Sequence, residues 1–366
     1  KHLKRVMEIT DKYNFKPMMW SDMFFKLGSK DGAYYDVEAK MPGNIESLIP
    51  EQLSMVYWDY YNNDAKIVDA MIKKHKQMGR DVVFAGGIWT WSGLTPNYDK
   101  TFATTKGALD MCRKNGIKDV FATMWGDDGG ECSKFMALLC LCLYDEFNYS
   151  ENVSNKQLKV MFRITTGYDM DEFLLFDVDN FGDLCESHDA TISKQVFYSD
   201  VMRGLFDKNH AQLNLKKHYK NIYDKLLKVN PDKDMKDLFD YHTQYVKILY
   251  KKCDMSMRIK RAYDNKWMEE LKKIIIELDE IVQDVEIMRN MEYNIWHKTN
   301  KPFGFEYFDA NMGAVETRLK SAKRRIEDFV SKKVDSLEEL EEERLYYNGD
   351  KNPFIHKYFS SEIRLV

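Results

Sequence analysis

Asp59 and Tyr61 sit two residues apart in the segment Trp58-Asp59-Tyr60-Tyr61 and set a carboxylate acceptor beside a phenolic donor. Trp89 with Trp91 and Trp125 with Asp127 repeat that spacing, and Trp20 stands just before Ser21 and Asp22. On an extended chain residues i and i+2 share a face, so each pair is expected to enter one pocket, with Trp58 directed away from Asp59 and Tyr61. Indoles next to carboxylates suit a sugar. A pyranose shows an apolar C–H face that stacks on a ring, and its rim hydroxyls donate to carboxylate oxygens. Other chemistry fits less well. His75, His188, His210 and His218 lack metal-ligand spacing, so no metal and no cofactor are expected. Gly86-Gly87 runs into Ile88-Trp89-Thr90-Trp91 and not into the G-x-x-x-x-G-K pattern of a phosphate loop.

The elements that position these residues follow from periodicity. Short apolar runs at Lys16 to Trp20, Met55 to Trp58, Val82 to Ala85 and Val120 to Met124 are expected to be strands, each followed by a helical pattern. Strands alternating with amphipathic helices indicate β/α units around a parallel sheet. Every strand ends in aromatic and acidic residues, and in a β/α barrel that end carries the active site. Residues 1–150 therefore read as α/β. Residues 151–366 read as an all-helical domain, apart from a possible extended stretch at Gly304 to Phe308. Apolar stripes such as Leu271, Ile274, Leu278, Ile281 and Val285 mark its helices, while Trp267 and Trp296 are expected to pack among them. The acidic run from Glu338 reads as a solvated helix face.

The chain has 366 residues, with Lys+Arg 55 against Asp+Glu 59 and a net charge of -4. No basic field exists to hold nucleic acid or an anionic membrane surface, and no apolar run approaches the ~20 residues of a membrane span. Cys112, Cys132, Cys140, Cys142, Cys185 and Cys253 show no C-x-x-C spacing and read as buried thiols, which points to a reducing, cytoplasmic compartment.

Four segments, taken in order, resemble glycoside hydrolase family 20. They are Lys16 to Phe25 (KPMMWSDMFF), Tyr57 to Tyr61 (YWDYY), Gly86 to Trp91 (GGIWTW) and Thr123 to Glu131 (TMWGDDGGE). More narrowly they are similar to bacterial β-N-acetylhexosaminidases with a large helical C-terminal region. The resemblance implies that residues 1–150 are strands five to eight of a (β/α)₈ TIM barrel. In that family an adjacent Asp-Glu pair on the fourth strand supplies the acid and orienting carboxyls. Neither Asp127-Asp128 nor Asp145-Glu146 replaces it, the latter being expected to face solvent, so the chain is expected to be a fragment that pairs with a missing N-terminal half.

The activity implied is release of terminal GlcNAc or GalNAc from a glycan by substrate-assisted retaining hydrolysis, with the sugar's 2-acetamido oxygen as nucleophile. Tyr61 would donate to that oxygen and Asp59 would stand beside it. Trp20, Trp89 or Trp91, and Trp125 would wall the acetamido methyl and the ring. Asp127, at a position often glutamate in the family, would bind the outer hydroxyls. Long helices with mixed faces make a homodimer plausible. A carbohydrate-binding protein without catalysis is the leading alternative, and a helical scaffold with a vestigial barrel half is the other.

Overall fold

Val82 to Ala85 is an unbroken apolar run, and such a run is stable as a strand only when both of its faces are covered. In the computed structural model, which describes residues 2–34, 36–41, 43–181 and 191–351, this run is the centre of a small sheet. Strands β1 (Met18–Trp20), β2 (Ser54–Trp58), β3 (Val82–Gly87) and β4 (Asp119–Thr123) pair in parallel in the order β1-β2-β3-β4. Met19 lies opposite Met55, Val56 opposite Val83, and Ala85 opposite Phe121. Among the described residues the sheet is open. Met18 on β1 and Val120 on β4 are 55% and 38% exposed, as edge positions are.

Parallel neighbours need crossovers, and helices provide them. The helices around this sheet are α1 (His2–Lys12), which precedes β1; α2 (Asp22–Gly28), α3 (Ala65–Lys76) and α4 (Tyr98–Lys114), which lie in the three crossovers; and α5 (Leu138–Tyr149) and α6 (Asn155–Thr166), which follow β4. Each strand is followed by one of them. Local signals set their ends: the Asp64 carboxylate caps α3 at the Lys66 N–H, and the basic run Lys73 to Lys76 closes it where the helix dipole favours positive charge. The Ser154 hydroxyl caps α6, and Gly167, at φ 80, ends it in the left-handed conformation.

The chain forms two compact units. The first comprises Lys1–Trp89, Tyr98–Trp125 and Ala137–Tyr168; the second comprises Thr90–Asn97, Gly126–Met136 and Asp169–Val366. The loops that follow β3 and β4 thus cluster with helical residues. In the second unit the main helices are α7 (Ile192–Tyr198), α8 (Leu215–Leu226), α9 (Lys236–Lys252), α10 (Met255–Asp264), α11 (Met268–Thr299) and α12 (Phe305–Val330). Leu271, Ile274, Leu278, Ile281 and Val285 of α11 are fully buried, as are Met312, Val315, Leu319 and Ile326 of α12, so apolar stripes at helical spacing make this core.

Gly304 to Phe308, expected to be extended, is instead the start of α12. Gly304 takes φ 100, its N–H donates to Glu306 Oε2, and Phe305 and Phe308, three residues apart, both pack on Trp296. That is helical spacing, which a five-residue window is too short to separate from a strand. Trp267, expected to pack, is half exposed at 50%. The cysteines described, Cys112, Cys132, Cys140, Cys142 and Cys253, are buried, and burial pushes the Cys112, Cys132 and Cys253 thiols up to about 12. Cys185 and His188 lie outside the described residues. Among the described residues no helix is long and apolar enough to cross a membrane.

At Gly86 the sheet admits no side chain. A Cβ there would stand 2.0 Å from the Tyr144 hydroxyl and 3.1 Å from its ring, and Tyr144 is held on α5 beside the Thr105 hydroxyl. Gly86→Ala is expected to destabilise by about 1–3 kcal/mol through overpacking. Adding Tyr144→Phe should recover part of that loss in a urea titration.

Candidate active site

The turn after β2 is built by one carboxylate. Asp59 Oδ1 accepts the backbone N–H groups of Tyr61 and Asn62, both at 3.1 Å. Its Oδ2 accepts the Tyr57 hydroxyl at 2.7 Å and the Asn62 side-chain amide at 2.8 Å. Four donors fill the roughly four acceptor sites of a carboxylate, and Asp59 is only 4% exposed. Burial and the adjacent carboxylate together hold the Tyr57 phenol well above its ordinary range. Asp59 therefore folds the chain back so that Tyr61 projects outward, 41% exposed.

Around Tyr61 the rings of Trp58, Tyr60 and Trp89 converge. Its ring meets Trp89 edge-on at 5.3 Å and 86°, and Trp58 at 6.4 Å. Tyr60 lies 6.1 Å from Tyr61, 5.1 Å from Trp58 and 6.5 Å from Trp125, while Trp125 lies 6.0 Å from Trp20. Each such pair contributes ~0.5–1.5 kcal/mol beyond area burial, so the rings fix one another's orientation. Tyr60 is the hub. Its carbonyl accepts the Trp89 indole N–H at 2.9 Å, and burial raises its phenol pKa against hydrogen bonds with Thr123 and Trp125. Trp58 joins this cluster although strand alternation directed it away, because the Asp59 turn ends the alternation.

Exposure sorts the rings. Trp20, Tyr61 and Trp125 are 38%, 41% and 40% exposed and can meet a ligand. Trp89 is fully buried, its backbone N–H bound to the Thr101 hydroxyl, so its contact with Tyr61 is the way it bears on that residue. Trp91 and Asp127 belong to the second unit. Trp91 is buried, whereas Asp127 is exposed at the start of a short turn, Asp127–Gly129.

The second unit also holds a buried polar cluster that residue spacing does not reveal. Lys194 Nζ lies 3.2 Å from Glu131 Oε2, both side chains almost without solvent contact, and the Tyr198 hydroxyl donates to Glu131 Oε1. Burial, with the Glu131 charge, raises Glu292 to about 7. These residues come from separate loops and helices, and the one sequence signal was Glu131 at the end of the Thr123-to-Glu131 segment.

Two further arrangements look chemical and prove structural. Ser21 Oγ is 2.6 Å from His75 Nε2, as a nucleophile and base would be, yet both residues are 1% exposed and out of a ligand's reach. Asp145-Glu146 was expected to face solvent; Asp145 does, but Glu146 is buried and accepts the Gln157 amide at 2.9 Å. Its place on the inner face of α5 overrides its charge. Among the described residues no group of three or more His, Cys, Asp or Glu is placed to hold a metal ion.

A family model described as the Glycoside Hydrolase 20C C-terminal domain matches residues 171–358, just over half of the 366-residue chain. The match does not extend to Asp59 or Tyr61. Comparison with curated proteins gives no match.

The buried His75 makes a pH prediction. Burial lowers it to about 4, while its Nδ1 donates to the Met71 carbonyl at 2.7 Å. As pH falls, the unfolded chain takes the proton near 6.5 and the folded chain only near 4, so stability is present above the higher value and is lost between the two. His75→Gln should shrink the stability loss between pH 7 and pH 4.5 by about 2 kcal/mol in urea titrations.

Proposed function

Because the chain belongs to the glycoside hydrolase family 20 group defined by this C-terminal domain, we propose that it is part of an exo-β-N-acetylhexosaminidase that removes terminal GlcNAc or GalNAc by substrate-assisted retaining hydrolysis. The observation that carries the reading is the Asp59 turn, which presents the Tyr61 phenol among exposed indoles. On this reading the four-stranded sheet is the second half of a (β/α)₈ barrel, and its strand ends face the sugar. The general acid and the orienting carboxyl belong to a fourth barrel strand that is not among these 366 residues.

In the proposed mechanism the 2-acetamido oxygen attacks the anomeric carbon as the leaving oxygen is protonated. An oxazolinium forms, and water opens it with retention. Tyr61 donates its hydroxyl hydrogen to the acetamido oxygen. The donation holds that oxygen in line and stabilises the charge that moves through the amide. Asp59 acts one step back: with its acceptor sites filled from within the protein, it positions Tyr61 and leaves the sugar hydroxyls to other groups. Trp20 and Trp125 supply apolar faces for the ring and the acetamido methyl.

The test is hydrolysis of 4-nitrophenyl N-acetyl-β-D-glucosaminide and its galactosamine epimer by the full-length protein. Tyr61→Phe is expected to lower kcat by about 10²–10³, the loss typical of one transition-state donor, with KM changed less. Near wild-type kcat in that variant removes Tyr61 from the mechanism. A wild-type protein that binds N-acetylglucosamine and hydrolyses neither substrate supports carbohydrate binding without catalysis instead.

A further inference from the structure

The loops that follow β3 and β4, Thr90–Asn97 and Gly126–Met136, cluster with helical residues, and buried positions anchor both. Thr90, Trp91, Ser92, Leu94 and Thr95 are all buried, and so are Glu131, Cys132 and Met136. One helical residue faces both loops. The aliphatic stem of Lys194 faces Gly93 of the first loop across about the width of a methyl group, since a Cβ added there would stand 3.4 Å from Lys194 Cβ and 3.6 Å from its Cδ, at ordinary contact. Its ammonium pairs with Glu131 of the second loop at 3.2 Å. Lys134 closes the set by donating to the Thr90 hydroxyl at 3.2 Å.

This connection is anchored deeper in the helical core. Lys194 and Tyr198 stand one turn apart on α7, and Tyr198 donates to the other oxygen of Glu131. The end of α7 is held by Lys252 of α9, whose ammonium donates to the carbonyls of Val196, Phe197 and Ser199 at 2.7, 2.7 and 2.6 Å. From the other side Gly129, at φ 91, lies so close to Tyr307 of α12 that a Cβ would be 2.4 Å from the ring. The turn Asp127–Gly129 is thus fixed at Gly129 and again at Glu131. A buried ion pair adds little net stability against apolar replacements, because desolvation offsets the attraction, but its direction is strict. Direction is what a loop bearing a sugar-binding carboxylate requires.

We propose that Lys194 is a positioning residue: through Glu131 it sets the loop that carries Asp127, which Lys134 ties to the Thr90 loop, and so it tunes the affinity for a sugar bound by Asp127 and not the chemical step. The inference rests on the hexosaminidase reading above for the role of Asp127. Lys194→Met alone leaves Glu131 buried without its cation and threatens folding, so the informative protein is the neutral pair Lys194→Met with Glu131→Gln in the full-length enzyme.

Two readouts test it. Amide hydrogen exchange in residues 90–97 and 126–136 should quicken at least tenfold in the neutral pair while the strands keep their protection. KM for the aryl N-acetylglucosaminide should rise about tenfold with kcat within threefold, and the rise should vanish when both enzymes also carry Asp127→Ala. Unchanged exchange, or an unchanged KM in an active enzyme whose melting temperature has recovered, overturns the inference and leaves the hexosaminidase reading standing. A wild type that hydrolyses no N-acetylhexosaminide overturns that reading, and the role of Lys194 with it.

Discussion

The saturated carboxylate of Asp59 is the constraint from which the first unit's site follows. Two backbone N–H groups, a phenol and an amide converge on it, and with them the chain leaves β2 in a tight turn. Without that acceptor the turn would lose four hydrogen bonds, one of them, from the Tyr57 hydroxyl, fully buried, where a group left unsatisfied costs ~1–3 kcal/mol. Everything distal to it depends on the turn. Tyr60 points inward and receives the Trp89 indole; Tyr61 points outward and leans on Trp89. The two residues are therefore one device, in which the acid shapes the backbone and the phenol is left facing solvent.

The second unit solves its own positioning problem with buried charge. Lys252 closes α7, α7 presents Lys194 and Tyr198, and these hold Glu131. Such a network is costly to desolvate, and a hydrophobic core of the same volume would be at least as stable. Its value is directional, since ammonium and carboxylate fix where a loop lies, whereas apolar contacts let it slide. Gly129 serves the same end by permitting close approach of the Tyr307 ring.

Much of the sheet was legible in the residues. Val82 to Ala85 and Met55 to Trp58 are apolar runs too short for helices, and each is followed by aromatic or acidic residues, so both strands and where they end could be read. The helices of the second unit were equally clear where Leu271, Ile274 and Leu278 recur at helical spacing. Gly304 to Phe308 was misread because Phe305 and Phe308 satisfy a helix only when Trp296, from another helix, is there to receive them. Glu146 was misread for a related reason: its partner Gln157 lies on the next helix, and a charge run carries no mark of which member turns inward. The convergence on Tyr61 could be anticipated from strand ends, but the division of labour could not. Asp59 as scaffold and Trp89 as buried support depend on hydrogen bonds to Tyr57, Asn62 and Tyr60, which alternation alone does not specify. Lys194, 63 residues from Glu131 in the chain, left no signal of their pairing.

The most direct measurement of the central claim is a crystal structure of the full-length protein with N-acetylglucosamine bound. The Tyr61 hydroxyl should lie about 2.7 Å from the acetamido oxygen, as a short O–H···O bond does, with Asp59 still accepting from Tyr61 and Asn62 and the sugar's apolar face on Trp20 or Trp125. A sugar seated elsewhere, or one whose hydroxyls draw the Asp59 carboxylate out of the turn while Tyr61 faces solvent, would contradict it.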